Sequence, residues 1–339
     1  CYPAPMPRVL LSGLDCVPPL LAFERYGAVM PHLHQLIERG CHGPLRSSTP
    51  PITVPAWASM LSGYDPGELG VYGFRNRTPG SYELQLVHSH DVERPWLWER
   101  MHPEQRACVL FVPPSYPPRP LRGELVSCFL TPGADVVHTH PPELADELSA
   151  RFGPYQPDVE VYRTDDLPKL LTQLYAATEQ RFNIAEHLLR TRRPDFTALV
   201  EIGPDRFHHA FWAHIDPDHP RHDPDNPHRD AGVGARPLHG CFHINQWLIQ
   251  HGYLRLRAYP EALTPWSQLE VDWAHTRAFA EGGYYARVIL NVRGREPDGC
   301  VAAHEVEALR TQLAHALAEC PGPRGERLTQ HIVRPEACY

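Results

Sequence analysis

The sequence predicts an α/β sandwich with a central, mostly parallel sheet, helices on both of its faces and an inserted subdomain. Three stretches carry that prediction. Val9 to Leu14 is a short apolar run ending on Asp15, as suits a buried parallel strand that delivers a carboxylate at its carboxyl end. Phe196 to Ile202 is a second such run, just ahead of Asp205. Between them, Leu170 to Leu189 has apolar residues at 170, 171, 174, 182, 185, 188 and 189, the spacing of an amphipathic helix. Strands that alternate with helices in this way stack the helices on both sides of one sheet, and ligands gather at the carboxyl ends of its strands.

The other elements follow in order. Met30 to Arg39 has helical spacing through Met30, Leu33, Leu36 and Ile37 and stops at Gly40. Thr53 to Gly63 reads as a capped helix, with Thr53 at or near the N-cap, Pro55 in the first turn and Gly63 at the stop. Cys108 to Val112 is a candidate strand, and the proline-rich Pro113 to Pro120 is a loop. Pro194 separates the long helix from the strand at 196. Ile244 to Ile249 reads as a short helix, Val288 to Val292 as a strand, and Glu305 to Leu317 as a last amphipathic helix before a polar tail. There is no internal repeat and no low-complexity linker.

A chain of 339 residues with 42% apolar side chains can bury a large core, which favours one large domain with an elaborated subdomain. The net charge of −8 comes from 40 acidic and 32 basic residues without a block of like charge, which argues against a nucleic-acid polymer as partner. A small anionic substrate would then need a local cationic device such as metal ions. No apolar run approaches the ~18 residues of a membrane span. The nine cysteines are scattered, without a C-x-x-C pair, and suit a reduced, cytoplasmic protein. The chain opens on Cys1 rather than Met, so a processed or truncated start is expected. Oligomeric state is left open. Six of the 22 histidines lie from His208 to His228, which suits either a transition metal such as zinc or a solvated polar loop.

Three groups of residues could carry chemistry. Thr53 would sit over the positive end of a helix dipole, where it is either an ordinary cap or a hydroxyl whose alkoxide the helix stabilises. Asp15 is either a turn cap or a ligand at a strand end. Asp205 and His209 are separated by one helical turn, and in a helix they project from one face as bidentate metal capture requires. His208 would point elsewhere, toward a supporting role or toward solvent. Arg75 and Asn76, after the Thr53 helix, read as exposed loop polar residues.

Taken together, Leu10 to Asp15, Pro50 to Trp57 with Ser62 to Gly70, and Asp205 to His209 with Phe211-Trp212 and Asp216 to Pro220 resemble the alkaline-phosphatase superfamily. Within it they are similar to the type I phosphodiesterase/nucleotide pyrophosphatase group. Tyr116-Pro117-Pro118, Gly123, Val126-Ser127, Val271 to Ala278, Asn291 and Gly294 to Gly299 look like scaffold segments of its predicted phosphohydrolase/phosphomutase branch. The resemblance implies an alkaline-phosphatase-like sandwich and two divalent metal ions, zinc or manganese. It implies Asp15 and Thr53 on one metal, Asp205 and His209 on the other, and Thr53 as a nucleophile that passes through a phosphothreonine. The implied substrate is small and phosphorylated, a phosphodiester or a nucleotide pyrophosphate. A sulfatase is disfavoured because a threonine holds the nucleophile position.

The pattern breaks at one place. Such enzymes carry a Ser-Asp-His-Gly element after a strand, and here the nearest string is Arg229-Asp230-Ala231-Gly232, followed by Ala235 to Gly240. Either alanine replaces the histidine, or the chain passes from His228 straight to Gly232 and lacks a helix and a strand, on the order of 20 to 35 residues. The second explanation is preferred, and it leaves the sheet without an interior strand. The family's final metal-binding histidine has no counterpart before Tyr339. The expected organisation is thus one catalytic domain over 1–339, lacking a core segment near 228–232 and its C-terminal end, with 78–165 and 245–300 as cap or insert regions. Catalytic zinc usually takes three protein ligands, and each site here keeps two. The alternative is therefore an impaired relative or fragment that binds a phosphorylated ligand or a partner without turnover.

Overall fold

Alternation along two strands builds the core of the protein, seen here in a computed structural model that describes residues 8–25, 30–216, 219–220, 222–225, 241–283, 285–322, 325–327 and 331–339. The chain forms two units, residues 1–74 with 87–239 and residues 75–86 with 240–339. The elements read from Asp230-Ala231-Gly232, from Ala235 to Gly240 and from Pro217-Asp218 lie outside the described residues.

The first unit holds a five-stranded sheet made of β1 (Val9–Leu14), β4 (Ala107–Leu110), β5 (Gly123–Val126), β6 (Thr139–His140) and β7 (Phe196–Glu201). Its order is β1-β7-β4-β5-β6; the first four strands run parallel and β6 runs antiparallel. Val109, Ala198 and Val200 point to one face, where they pack with Val54, Ala58 and Leu61 of α2 (Thr53–Ser62) and Leu69 of α3 (Pro66–Leu69). Cys108, Leu110 and Leu199 point to the other, against Leu144 and Leu148 of α4 (Leu144–Phe152) and Ile184, Ala185 and Leu188 of α5 (Leu167–Arg192). A period of two along the strands thus puts helices on both faces. The α/β sandwich with a mostly parallel sheet is the architecture the sequence predicts.

Two expectations need correction. β1 is an edge strand, paired only with β7 among the described residues, and Val9 and Leu10 stand 53% and 56% exposed rather than buried. Its apolar run therefore reflects one covered face instead of two. The helix read from Met30 is α1 (Pro31–Arg39), which buries none of its residues.

The second unit contains β2 (Arg75–Arg77) paired with β3 (Leu84–Leu86), β8 (Ala278–Glu281) paired with β9 (Arg287–Leu290), α7 (Ile244–Gln250) and α8 (Val306–Ala318). Its core gathers Leu248, Phe279, Leu290, Leu309 and Leu313. The β2–β3 hairpin belongs here because Tyr82 stacks on Trp273 at 3.5 Å and donates to Asn291 Oδ1 at 2.8 Å. Arg77 reaches the fully buried Glu296 at 2.9 Å. The boundary expected for an insert at 78–165 is therefore corrected. β4 and β5 are interior strands of the main sheet with fully buried apolar side chains, whereas residues 75–86 join the other unit. Arg75 and Asn76, read as loop residues, lie on β2 of that unit.

Candidate active site

β1 and β7 run parallel with Leu14 opposite Glu201, so the two chains leave the sheet side by side. The Asp15 amide donates to the Glu201 carbonyl at 3.0 Å and holds the two strand ends together. After Glu201 the chain turns at once into α6 (Gly203–Ile215), which places Asp205 in the first turn of a helix. Glu201 itself anchors that turn. One of its carboxylate oxygens accepts from the Gly203 amide at 2.7 Å, the Thr178 hydroxyl at 3.1 Å and Arg181 Nη1 at 3.0 Å, all in a site where Glu201 is 1% exposed.

Thr53 is the first residue of α2, with Ile52 as the extended N-cap and no side-chain cap bond. Thr53 thus stands next to the N-cap, as the sequence predicts, with its backbone already helical, and its side chain favours the charged form of the Asp15 carboxylate beside it. Gly63 ends the helix in the left-handed region, at φ 81°, as a glycine stop should. Trp57, one turn after Thr53, and the Cys16 backbone likewise favour the charged form of Asp15. Gly13 makes this possible, because a Cβ there would lie 2.2 Å from the Trp57 ring. Only a glycine on β1 lets the indole cross the strand and reach the carboxylate.

Burial is the main force that raises the Asp15 carboxyl to about 6, and the charge of Asp205 adds to it against the opposing influence of Thr53, Trp57 and the Cys16 backbone. The three predicted oxygen-bearing side chains, Asp15, Thr53 and Asp205, therefore meet at one sheet edge. His209 shares the α6 face with Asp205, its Nε2 lying 3.6 Å from Asp205 Oδ1. The adjacent His208 is buried rather than solvent-facing, beside the Cys16 backbone in the turn after β1. Burial lowers the pKa of both imidazoles, although the Asp205 charge opposes it, so the neutral, ligating form is favoured.

A cation fits these residues. Asp15 Oδ2 is buried without a hydrogen-bond partner, and the Asp205 charge makes ionisation of Asp15 costlier, a cost that a hard or borderline divalent ion beside these carboxylates would offset. Among the described residues no cluster of three or more histidine, cysteine, aspartate or glutamate side chains has metal-binding geometry. Sequence reasoning missed Trp57 and Arg206 as parts of this site. The small residue at Gly13, facing α2, was the available signal for the first, and an arginine on the buried side of an amphipathic helix was the signal for the second.

Residues 9–223, well over half of the chain, match the family model for type I phosphodiesterase / nucleotide pyrophosphatase. The chain belongs to this family. The phosphodiesterase match spans every strand of the main sheet and all of Asp15, Thr53, Asp205 and His209, and it stops before the 240–339 part of the second unit. The chain is also similar to the phosphonoacetate hydrolase from Sinorhizobium meliloti 1021, solved in complex with phosphonoacetate. The similarity has a TM-score of 0.44 and 21% identity, over 60% of this chain and 48% of that one. The chain thus spans about half the length of the solved structure it matches. No curated protein matches it. Among the described residues no helix is long and apolar enough to cross a membrane.

Proposed function

We propose that this member of the phosphodiesterase family is a metal-dependent phosphohydrolase that cleaves small phosphodiesters or nucleotide pyrophosphates through a phosphothreonine at Thr53. The observation that carries the proposal is the placement of a buried Asp15, its Oδ2 unpartnered, beside Thr53 and Asp205 at the carboxyl ends of β1 and β7. Asp15 with Thr53, and Asp205 with His209, would each hold one divalent ion, zinc or manganese. When bound, such ions supply positive charge to the phosphate oxygens and favour the alkoxide of Thr53.

Thr53 Oγ1 forms the new bond to phosphorus while the bond to the leaving oxygen breaks, and that oxygen departs with the electron pair and takes a proton from solvent. The Thr53 proton passes to the neighbouring Asp15 carboxylate. Thr53 opens α2, so the positive end of the helix dipole favours the developing charge. Water then attacks phosphorus, releases the phosphate monoester that keeps the remaining ester group, and restores the hydroxyl. Splitting one displacement into two is what a covalent nucleophile contributes. The eight described cysteines are free thiols, which supports a reducing compartment such as the cytoplasm.

A second reading has one observation in its favour. The exposed apolar edge of β1 suits a sheet that has lost a neighbouring strand, and with it the Asp-His-Gly ligands, leaving a protein that binds phosphate without turnover. Hydrolysis of bis(4-nitrophenyl) phosphate separates the two. Metal-dependent turnover with zinc or manganese, abolished by a chelator, is expected; tight phosphate binding with no turnover at any metal concentration contradicts the enzyme and favours the second reading.

A further inference from the structure

Arg206 lies between Asp205 and His209 in sequence, yet it is 7% exposed and bound on several sides. Its Nε donates to both oxygens of Asp158 at 3.0 Å, its Nη2 to Asp158 Oδ2 at 2.7 Å, and its Nη1 to Asp205 Oδ2 at 2.8 Å. Its guanidinium also stands 4.8 Å from the Phe129 ring centre and 4.7 Å from that of Tyr162. The Tyr162 ring in turn lies 5.6 Å from the ring of His209.

A buried guanidinium persists only where its donors are paired, and here two carboxylates and two aromatic faces do this. The consequence falls on Asp205. With Oδ2 taken by Arg206, the remaining oxygen, Oδ1, is the one directed at His209 Nε2. A carboxylate in the first turn of a helix could otherwise turn either oxygen outward.

We infer that Arg206 is the positioning residue of the Asp205–His209 pair: clamped by Asp158, Phe129 and Tyr162, it occupies Asp205 Oδ2 and leaves Oδ1 and the His209 imidazole to face one cation. This rests on the metal-centre reading above. Asp158 and Tyr162 precede α5, so the segment before that helix, remote in sequence, sets the orientation of the ligands on α6. Lysine cannot substitute, because a point charge without a planar fork cannot serve two carboxylates and stack on two rings.

The test uses Arg206→Lys, Arg206→Met and Asp158→Asn in the full chain. For each folded variant, zinc and manganese affinity is measured by competition with a chelating dye, the metal-free melting temperature is recorded, and the metal-free crystal structure is solved. A loss of cation affinity of about tenfold or more is expected, the usual effect of removing a residue that orients a ligand. The crystal structures should show Asp205 or His209 turned from its present rotamer. Variants that melt earlier but bind the cation as tightly as the parent, with both side chains unmoved, would overturn the proposal and leave Arg206 a packing residue. If Arg206→Met fails to fold, the lysine and Asp158→Asn variants decide. If the parent chain binds no cation, the metal-centre reading fails on its own. The metal-free structures then settle the positioning claim, unmoved side chains counting against it and displaced ones for it.

Discussion

Thr53→Ala is expected to lower metal-dependent turnover by on the order of 10³-fold or more while the protein stays folded and keeps cation affinity at Asp205 and His209 within a few-fold. The separation is expected because the hydroxyl does little for the fold. Ile52, not Thr53, is the N-cap, and no side-chain cap bond is lost. Alanine is the better helix former. Thr53→Ser keeps the nucleophilic oxygen and should retain most of the rate. Initial rates alongside thermal melts check this; a parent-like rate in the alanine variant removes Thr53 from the chemistry.

The second large effect is at Asp15, and its sign depends on pH. Burial and the Asp205 charge raise the carboxyl from 3.8 to about 6 in the folded protein. A raised carboxyl favours the neutral form in the fold. Its contribution to the stability of the metal-free protein is therefore full below 3.8 and is lost as pH rises through about 6. In chelator-treated protein, Asp15→Asn should thus be more stable than the parent at pH 8, by up to about 3 kcal/mol, and little different at pH 4. The same substitution should abolish turnover, since the acceptor of the Thr53 proton is gone. In the parent, metal affinity should fall as pH drops below about 6, where a proton competes for the carboxylate. Urea titrations at the two pH values measure the first effect. Equal stability of the two proteins at pH 8 would mean that Asp15 is not held in the buried, coupled environment described here.

Local pattern carried the elements that hold the site. The runs at Val9 and Phe196 became β1 and β7, and the amphipathic stretch at Leu170 became the middle of α5. The i to i+4 spacing of Asp205 and His209 was sufficient to put both on one face of α6. Pattern failed where a charge or a remote contact decided the structure. β5 opens Gly123-Glu124, and a glutamate is a poor strand signal until Arg106 is seen to pair with it at 2.6 Å. The membership of residues 75–86 in the second unit depends on the Tyr82 contacts with Trp273 and Asn291, some two hundred residues away, which no local periodicity encodes. Trp57 was readable only as a core aromatic, because its place beside Asp15 depends on the glycine across from it on β1. Arg206 was hidden for the same reason, since its partners Phe129, Asp158 and Tyr162 come from two distant loops.

The central claim is geometric, and anomalous diffraction from crystals soaked in manganese or zinc reads it most directly. The account predicts anomalous peaks within about 2.0–2.3 Å of the Asp15 carboxylate and of the Asp205 and His209 side chains, with the Thr53 hydroxyl beside the first. Peaks elsewhere, or Asp15, Thr53 and Asp205 separated by intervening side chains with no shared cleft, would contradict it.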